Sequence, residues 1–168
     1  FKTQSLYAIA DTGVNVPSPR TTMVQQTLTD AKPNRTVTTK PVTISPPTVN
    51  GWFVDLPDSG ELANIDMTLA QGTLLVPTNV PTNGVCEAGG YSWYNFFNYK
   101  TGSFVPGATT AARWAGNDLT TGHNVIWIKG KPVVVRTGSG TSPKLLPGVP
   151  FNPGGTSGVI GPRVSWRE

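Results

Sequence analysis

The 168-residue chain has very little of the chemistry on which most metal sites and disulfide frameworks depend. It contains one cysteine, Cys86, and one histidine, His123. A single cysteine cannot form an intrachain disulfide or a cysteine-rich metal site, and a single imidazole is too few for a histidine-based one. The cysteine count leaves the redox compartment open, because few thiols suit an exported protein as well as a cytosolic one.

Charged residues and long apolar runs are also scarce. Charged residues make up 13% of the chain, and the formal net charge is +4. The 13 lysines and arginines fall singly, without the basic clusters, recognition helix or aromatic platform typical of nucleic-acid binding. No apolar run approaches the length needed to cross a bilayer. We therefore expect neither nucleic-acid binding nor a membrane span.

The acidic residues are unevenly distributed. The range 51–87 holds Asp55, Asp58, Glu61, Asp66 and Glu87 and no lysine or arginine. An acidic stretch beside basic surface can orient a partner electrostatically, whereas a solvated surface is the simpler interpretation.

Glycine and proline, in contrast, are abundant. Their 19 and 16 copies are too many for long helices, yet the 5 Trp, 6 Phe and 4 Tyr lie mostly in short alternating runs that can build a core. These features predict one all-β domain over residues 1–168 with long Gly/Pro-rich loops. The chain begins at Phe1 without a signal-like segment, and we expect it to be a mature product or a fragment of a larger C-terminal domain.

Two stretches of the sequence are alike, SLYAIADTG (5–13) and SWYNFFNYKTG (92–102). Each is a strand-like run followed by a polar turn ending in Thr-Gly, and the glycine supplies the positive φ of a tight turn. A recurring hairpin in an all-β chain indicates radial repetition of small antiparallel sheets. At about 40–45 residues per blade, the chain predicts a modified or partial β-propeller of about three to four blades.

The coarse pattern predicts about ten to thirteen short strands. We expect strands at 6–10, 23–29, 36–44, 51–56, 62–69, 73–76, 91–99, 103–105, 125–129, 132–136 and 164–167. The ranges 77–90, 107–122 and 137–162 are expected to be loops, with 108–115 as the one candidate for a helical turn.

His123 is the one candidate general base. A base of this kind needs a nucleophile and an orienting partner. Asp118 is near in sequence, but no serine sits in a nucleophile-elbow context. We therefore expect a surface or hydrogen-bonded structural histidine, and no catalytic residue is assigned.

Three carboxylates around one turn, Asp55, Asp58 and Glu61, are candidate calcium ligands. Calcium loops place oxygen ligands at alternate positions around a glycine, whereas the spacing here is three and three with Pro57 between. The alternative is a solvated turn, and we expect no cofactor.

Two other patterns invite a functional interpretation. The glycine-rich stretches 138–142 and 152–158 resemble phosphate-binding loops, but no helix is predicted after either, so we expect ordinary loops. Asn34-Arg35-Thr36 matches the acceptor pattern for N-glycosylation, a tripeptide that is common by chance.

A dense aromatic cluster occupies the second of the two similar stretches. Alternation places Tyr91, Trp93, Phe97 and Tyr99 on one strand face and Tyr94 and Phe96 on the other. Aromatic residues on both faces predict burial between neighbouring sheets, and a sugar-stacking or partner surface is the alternative.

Several segments stand out together in their order along the chain: QSLYAIADTG (4–13), MVQQTLTD (23–30), NGWFVDLPDSGE (50–61), CEAGG (86–90) followed by SWYNFFNYKTG, and RVSWRE (163–168). This order resembles the C-terminal part of the PilC/PilY family, the tip-associated adhesins and biogenesis factors of bacterial type IV pili. The resemblance spans most of the chain, and its most specific pieces are GWFVDLP…GE and the terminal SWRE.

This resemblance implies a modified β-propeller that is exported to the cell surface or pilus tip and supports pilus extension and adhesion. Its implied partners are minor pilins, the rest of the tip complex, and a host or abiotic surface. Two departures stand out: the family's Asp-rich calcium loop and an Arg-Gly-Asp motif have no counterpart here. The family domain is also much longer than this chain.

The sequence thus predicts a non-enzymatic pilus-associated protein, with two alternatives. One is a quinone-dependent dehydrogenase-like propeller, in which hairpins like 5–13 also occur, and the other is a structural or virion-surface β module. Since an open sheet edge invites aggregation, we expect a partner, a second copy or further sequence of the same protein to cover it.

Overall fold

Nearly all regular structure in the chain is β-strand, as the composition predicts. The computed structural model describes residues 3–13, 15–45, 49–82 and 89–152. Within these ranges it contains eleven strands and one helical turn, α1. The elements are β1 Ser5–Ile9, α1 Pro19–Thr22, β2 Val24–Ala31, β3 Asn34–Val37, β4 Gly51–Asp55, β5 Thr68–Ala70, β6 Thr73–Pro81, β7 Gly90–Asn98, β8 Ala112–Gly116, β9 Thr120–Ile128, β10 Lys131–Gly138 and β11 Thr141–Leu146.

The strands form two sheets. Eight of them make a curled sheet in the order β1-β4-β2-β3-β8-β7-β6-β5, and the other three form a sheet in the order β11-β10-β9. Neighbouring strands are antiparallel except β2 and β4, which run parallel. No helix in the described ranges is long and apolar enough to cross a bilayer.

The two similar stretches both form strands but hold different places in the large sheet. The first stretch forms β1, which among the described strands lies at the edge and pairs with β4 alone, whereas β7 of the second lies between β6 and β8. The expected equivalence of the two stretches is therefore wrong. The side chains explain the difference, because β7 is apolar on both faces whereas Tyr7 and Ile9 of β1 are exposed.

The core lies on both faces of the large sheet. On one face Phe97 packs in a cluster with Trp52 and Val54 of β4. On the other, Tyr94 and Phe96 pack with Val134 and Leu146 of the small sheet, among others. Trp93, Tyr94, Phe96 and Phe97 are fully buried. The prediction of burial between sheets is confirmed for Tyr94 and Phe96, whereas Trp93 and Phe97 are buried against other strands of the large sheet. It is wrong for Tyr99, which is 41% exposed.

The turn after β7 is fixed by its glycine. Gly102 has φ +67°, and a Cβ at this position would lie 2.4 Å from two ring carbons of Trp52. The Trp52 indole N–H donates to the Tyr99 carbonyl at 2.9 Å, which holds the turn beneath β4. The second stretch therefore packs against the neighbour of the first.

Several predicted element bounds are wrong. Residues 77–81, expected in a loop, belong to β6, and β8 replaces the expected helical turn because pairing with β3 and β7 outweighs the helix propensity of its alanines. The range 137–162 contains β11, residues 103–105 form no strand, and only the end of 62–69 is extended, as β5. The strand predicted at 164–167 lies outside the described residues.

Pro77 is tolerated inside β6 because of the side to which its nitrogen points. Asn79, two residues later, exchanges both backbone hydrogen bonds with Leu62, on the side away from β7. Backbone groups repeat direction every two residues along a strand, so the nitrogen of Pro77 also points away from β7. No hydrogen bond to β7 is lost.

Candidate functional site

The most polar part of the interior is built around Arg35 of β3. Its side chain is fully buried, and its guanidinium contacts the Glu61 carboxylate through Nη1 at 2.7 Å and Nη2 at 2.9 Å. Nη2 also lies 3.0 Å from Asp58 Oδ2, and Nε lies 2.6 Å from Asp30 Oδ1. We call Arg35, Asp30, Asp58 and Glu61 the arginine cluster.

Side chains of β6 and β7 complete the surroundings of the arginine cluster. The Trp93 ring lies 4.0 Å from the guanidinium carbon of Arg35, and its indole N–H donates to Asp58 at 2.8 Å. The Thr78 hydroxyl donates to Glu61, and Asn95 accepts a bond from Arg35 at 3.3 Å. The cluster thus joins β3 and the turn at 58–61 to β6 and β7.

The protonation of the cluster follows from burial and from the charge of Arg35. Burial raises the pKa of the Asp30 carboxyl, Asp58 adds to this rise, and Arg35 opposes it. Burial also acts to raise the pKa of Asp58, but the hydrogen bond from Trp93 and the charge of Arg35 outweigh it, so the pKa lies below its usual value. For Arg35, the carboxylates outweigh burial and raise the pKa of the guanidinium.

The three candidate calcium ligands do not converge on one point. Asp58 and Glu61 face Arg35, whereas the Asp55 carboxylate is bound by Arg20 at 2.8 Å and accepts bonds from Ser5 and Gln25. Within the described ranges, no three His, Cys, Asp or Glu side chains are placed to hold a metal ion. The alternative of a solvated turn does not describe Glu61 either, because it is buried.

His123 lies in β9, where it is half-buried in a shallow polar depression. Its Nε2 is 2.9 Å from the Thr68 hydroxyl, and its ring meets the edge of Tyr94 at 5.8 Å between centroids. Burial lowers the pKa of the imidazole, and the nearby Asp66 opposes this only in part. Asp118 is turned elsewhere, because its carboxylate binds Arg136 at 3.0 and 3.1 Å.

The other motifs singled out from the sequence fall in three settings. The stretch 138–142 includes the turn of the β10–β11 hairpin. Asn34 begins β3 beside the buried Arg35 and is itself only half-exposed, which is a poor position for a glycosylation acceptor. Cys86 and most of 152–158 lie outside the described residues.

The β9–β10 hairpin ends in exposed apolar side chains on both of its faces, which the sequence did not single out. Ile126, Trp127 and Ile128 are 40%, 58% and 44% exposed. The following turn has positive φ at Lys129 and Gly130, the geometry of a tight hairpin turn, and Lys131 begins the next strand. We call residues 126–131 the hairpin tip. Sequence patterns predicted the hairpin, but a run of apolar residues gives no sign of whether it is buried.

Comparison of the chain with family models, with curated proteins and with solved structures gives no match.

Proposed function

We propose that this chain is a non-enzymatic, pilus-associated binding module that is exported to the bacterial cell surface and acts at the tip of a type IV pilus. In this proposal the curled sheet belongs to a modified β-propeller-type domain longer than the chain, and no cofactor takes part. The partners are minor pilins or other tip components, and a host or abiotic surface.

The observation that carries the proposal is the hairpin tip. The tryptophan, 58% exposed, lies on one face of the hairpin tip, and two exposed isoleucines lie on the other. Large apolar side chains exposed in this way are typical of protein-binding surfaces. Aromatic side chains supply most of the affinity in such interfaces because they bury large rigid surfaces. The pilus context of the proposal comes from the resemblance of several sequence segments, in their order along the chain, to the PilC/PilY family.

The arrangement of the polar groups also supports a binding role. Asp58 and Glu61 bind Arg35, Asp55 binds Arg20, and Asp118 binds Arg136. These carboxylates therefore connect elements of the fold, and each one forms an ion pair with an arginine of the same chain.

The test is localisation of the chain in a piliated bacterium. Immunogold labelling and co-purification with sheared pili are measured for the wild-type chain and for Trp127→Ser, with Met67→Ser as the matched control because Met67 is 56% exposed. We expect tip labelling, a reduced pilus-bound fraction for Trp127→Ser, and no change for Met67→Ser. Labelling confined to the cell interior would contradict the proposal.

The dehydrogenase alternative is tested on the same purified protein. A quinone-dependent enzyme would bind a quinone that absorbs in the visible range, and calcium would raise its unfolding temperature. The pilus proposal predicts no quinone-induced absorbance and no calcium effect.

A further inference from the structure

The first strand leaves one side of its backbone unpaired. Ala10 N–H donates to the Asn50 carbonyl and Leu56 N–H to the Gln4 carbonyl, which sets the phase of the β1–β4 ladder. By two-residue alternation, the N–H and C=O groups of Ser5, Tyr7 and Ile9 point away from β4. None of these groups has a backbone partner among the described residues.

The sequence of this edge strand carries none of the usual protection against strand pairing, and the Arg20 guanidinium contacts the strand at the Ser5 hydroxyl, beside the Asp55 carboxylate. The sequence Ser-Leu-Tyr-Ala-Ile contains no charge and no proline, and its register with β4 is regular over all five residues. Natural edge strands are normally blunted by charge, proline or a bulge. The side chains of Tyr7 and Ile9, on one face of the edge, are 43% and 55% exposed.

An apolar groove opens on the sheet at the same edge. It is lined by Ala8 and Ile9 of β1, by Val42 and Ile44, and by the turn residues Tyr99 and Lys100, among others. The hydrogen bond from Trp52 to the Tyr99 carbonyl fixes that turn against β4. The groove is therefore built from three separate parts of the chain held in place by a buried tryptophan.

One charge lies in the groove lining, that of Lys100. Its ammonium is 5.6 Å from the centroid of the Tyr99 ring, and it makes no ion pair with any residue that the structure describes. A carboxylate entering the groove would meet an apolar wall and this cation together. Such a pairing selects partners by charge.

We propose that the β1 edge and this groove bind an extended segment of a partner protein by strand addition. Its backbone pairs with Ser5, Tyr7 and Ile9, its apolar side chains enter the groove at alternate positions, and a carboxylate lies beside Lys100. The inference rests on the proposed function, in that it gives a binding module its mode of binding, but the edge and the hairpin tip are separate surfaces that can be tested separately.

A second copy of the chain fits this groove poorly. Ala8 lines the groove, and Leu6 lies on the same face of β1. If two β1 strands paired antiparallel, Leu6 and Ala8 of the second copy would therefore be the side chains next to the groove. Leu6 is only 9% exposed and both side chains pack in the core of their own chain, so neither can fill the groove of a neighbour. An extended segment that is not packed in a core of its own has side chains on both faces that can enter the groove.

The test pans a phage-displayed library of random twelve-residue peptides on the immobilised full-length chain. We expect enrichment of proline-free peptides that alternate apolar residues and contain an acid. Binding of the selected peptides is then measured to Tyr7→Pro, which removes an outward N–H, and to Lys100→Glu, with Lys144→Glu as the control at another exposed lysine. Thermal melts verify that each variant is folded.

The proposal expects a loss of about tenfold or more in affinity for Tyr7→Pro and about three- to fivefold for Lys100→Glu, with no change for Lys144→Glu. If Tyr7→Pro does not fold, the comparison of peptide affinity between Lys100→Glu and Lys144→Glu still tests the proposal. Absence of enriched peptides, or equal binding to Lys100→Glu and Lys144→Glu, overturns the proposal.

Hydrogen exchange distinguishes the other occupants. The amides of Tyr7 and Ile9 should exchange fast in the free chain and slowly with bound peptide. Protection in the free chain at all concentrations means that its own residues cover the edge, and protection only at high concentration means that a second copy does. Either result overturns the proposal, whereas a failure of pilus localisation with intact peptide binding overturns the proposed function alone.

Discussion

Arg35 and Glu61 form a two-pronged ion pair in which neither side chain is exposed to solvent. The two residues are 26 positions apart and join β3 to the turn at 58–61. The guanidinium and carboxylate have both lost their water, so each depends on the other for compensation of its charge. Removal of one partner should therefore lower the free energy of unfolding more than removal of a partner from an exposed ion pair does.

We expect Glu61→Gln to destabilise the fold by about 2–3 kcal/mol. The change removes the buried carboxylate that binds the guanidinium through two nitrogens, and among the described residues only Asp30 and Asp58 still neutralise Arg35. Urea unfolding measures the change in the free energy of unfolding. Asp55→Asn is the control, since its ion pair with Arg20 is partly exposed and such pairs contribute at most about 1 kcal/mol. Similar losses for the two variants would show that the burial of the arginine cluster has no energetic consequence.

Gly102→Ala tests the contact between the turn after β7 and Trp52. The new Cβ would lie 2.4 Å from the indole ring, which is buried and held by its hydrogen bond to Tyr99. We expect a loss of stability about 1–3 kcal/mol greater than for Gly130→Ala.

Gly130 is the matched control for that substitution. Its φ of +74° is close to the +67° of Gly102, but a Cβ there would have nothing within 4 Å. Both variants pay the conformational cost of alanine at positive φ, about 1–2 kcal/mol, so their difference isolates the overlap with Trp52. Equal unfolding temperatures would contradict the close packing of the turn.

Local pattern was sufficient to predict the strongest strands. The aromatic run of β7, the compact β4 and the β9–β10 hairpin were all predicted close to their observed places. In each case the alternation or the turn signal is contained in fewer than about ten residues. The all-β class followed from the same patterns.

The arrangement of the strands could not be predicted in this way. Nothing local to β1 or β7 indicates that one lies at an edge and the other inside, because this depends on which distant strand each one meets. The same holds for β8, whose alanines suggest a helix until β3 and β7 supply partners on both sides.

The arginine cluster was missed for a related reason. Arg35 was noticed only as the middle of a glycosylation tripeptide, and Asp58 and Glu61 only as members of an acidic turn. One signal was present, since the range 51–87 holds five acids and no base, which calls for a cation from elsewhere in the chain. The sequence did not show that Arg35 supplies it for two of them and Arg20 for a third.

Stability should depend on pH through His123. Burial lowers the pKa of its imidazole in the folded state below the ordinary value of 6.5, so the unfolded chain binds the proton more readily. The stabilising contribution is therefore complete above pH 6.5 and is lost as the pH falls through the folded pKa. We expect the free energy of unfolding to fall between pH 7 and pH 5.

His123→Gln is the control for that pH dependence. Glutamine can still bond the Thr68 hydroxyl but does not titrate, so the decline between pH 7 and pH 5 should become shallower. Denaturant unfolding at several pH values measures the slope. An unchanged slope would assign the decline to other groups and contradict a buried neutral imidazole.

At alkaline pH the corresponding group is Tyr94. Burial raises the pKa of its phenol from 10.0 to about 12, because the phenolate would lie in the core between the two sheets. The folded protein holds this proton more tightly than the unfolded chain, so the contribution is present below pH 10 and is lost as the pH rises towards 12.

Tyr94→Phe removes that titration together with a long hydrogen bond of 3.3 Å to the Gly122 carbonyl. We therefore expect a loss of about 1 kcal/mol at neutral pH but a shallower decline of stability between pH 10 and pH 12 than in the wild-type chain. Ultraviolet absorbance of the folded protein should also show two phenols, those of Tyr91 and Tyr94, ionising near pH 12 in the wild-type chain, and only that of Tyr91 in Tyr94→Phe. If every phenol of the folded protein ionised together near pH 10, Tyr94 would have to be accessible to water, and the packing of the small sheet over β7 would be wrong.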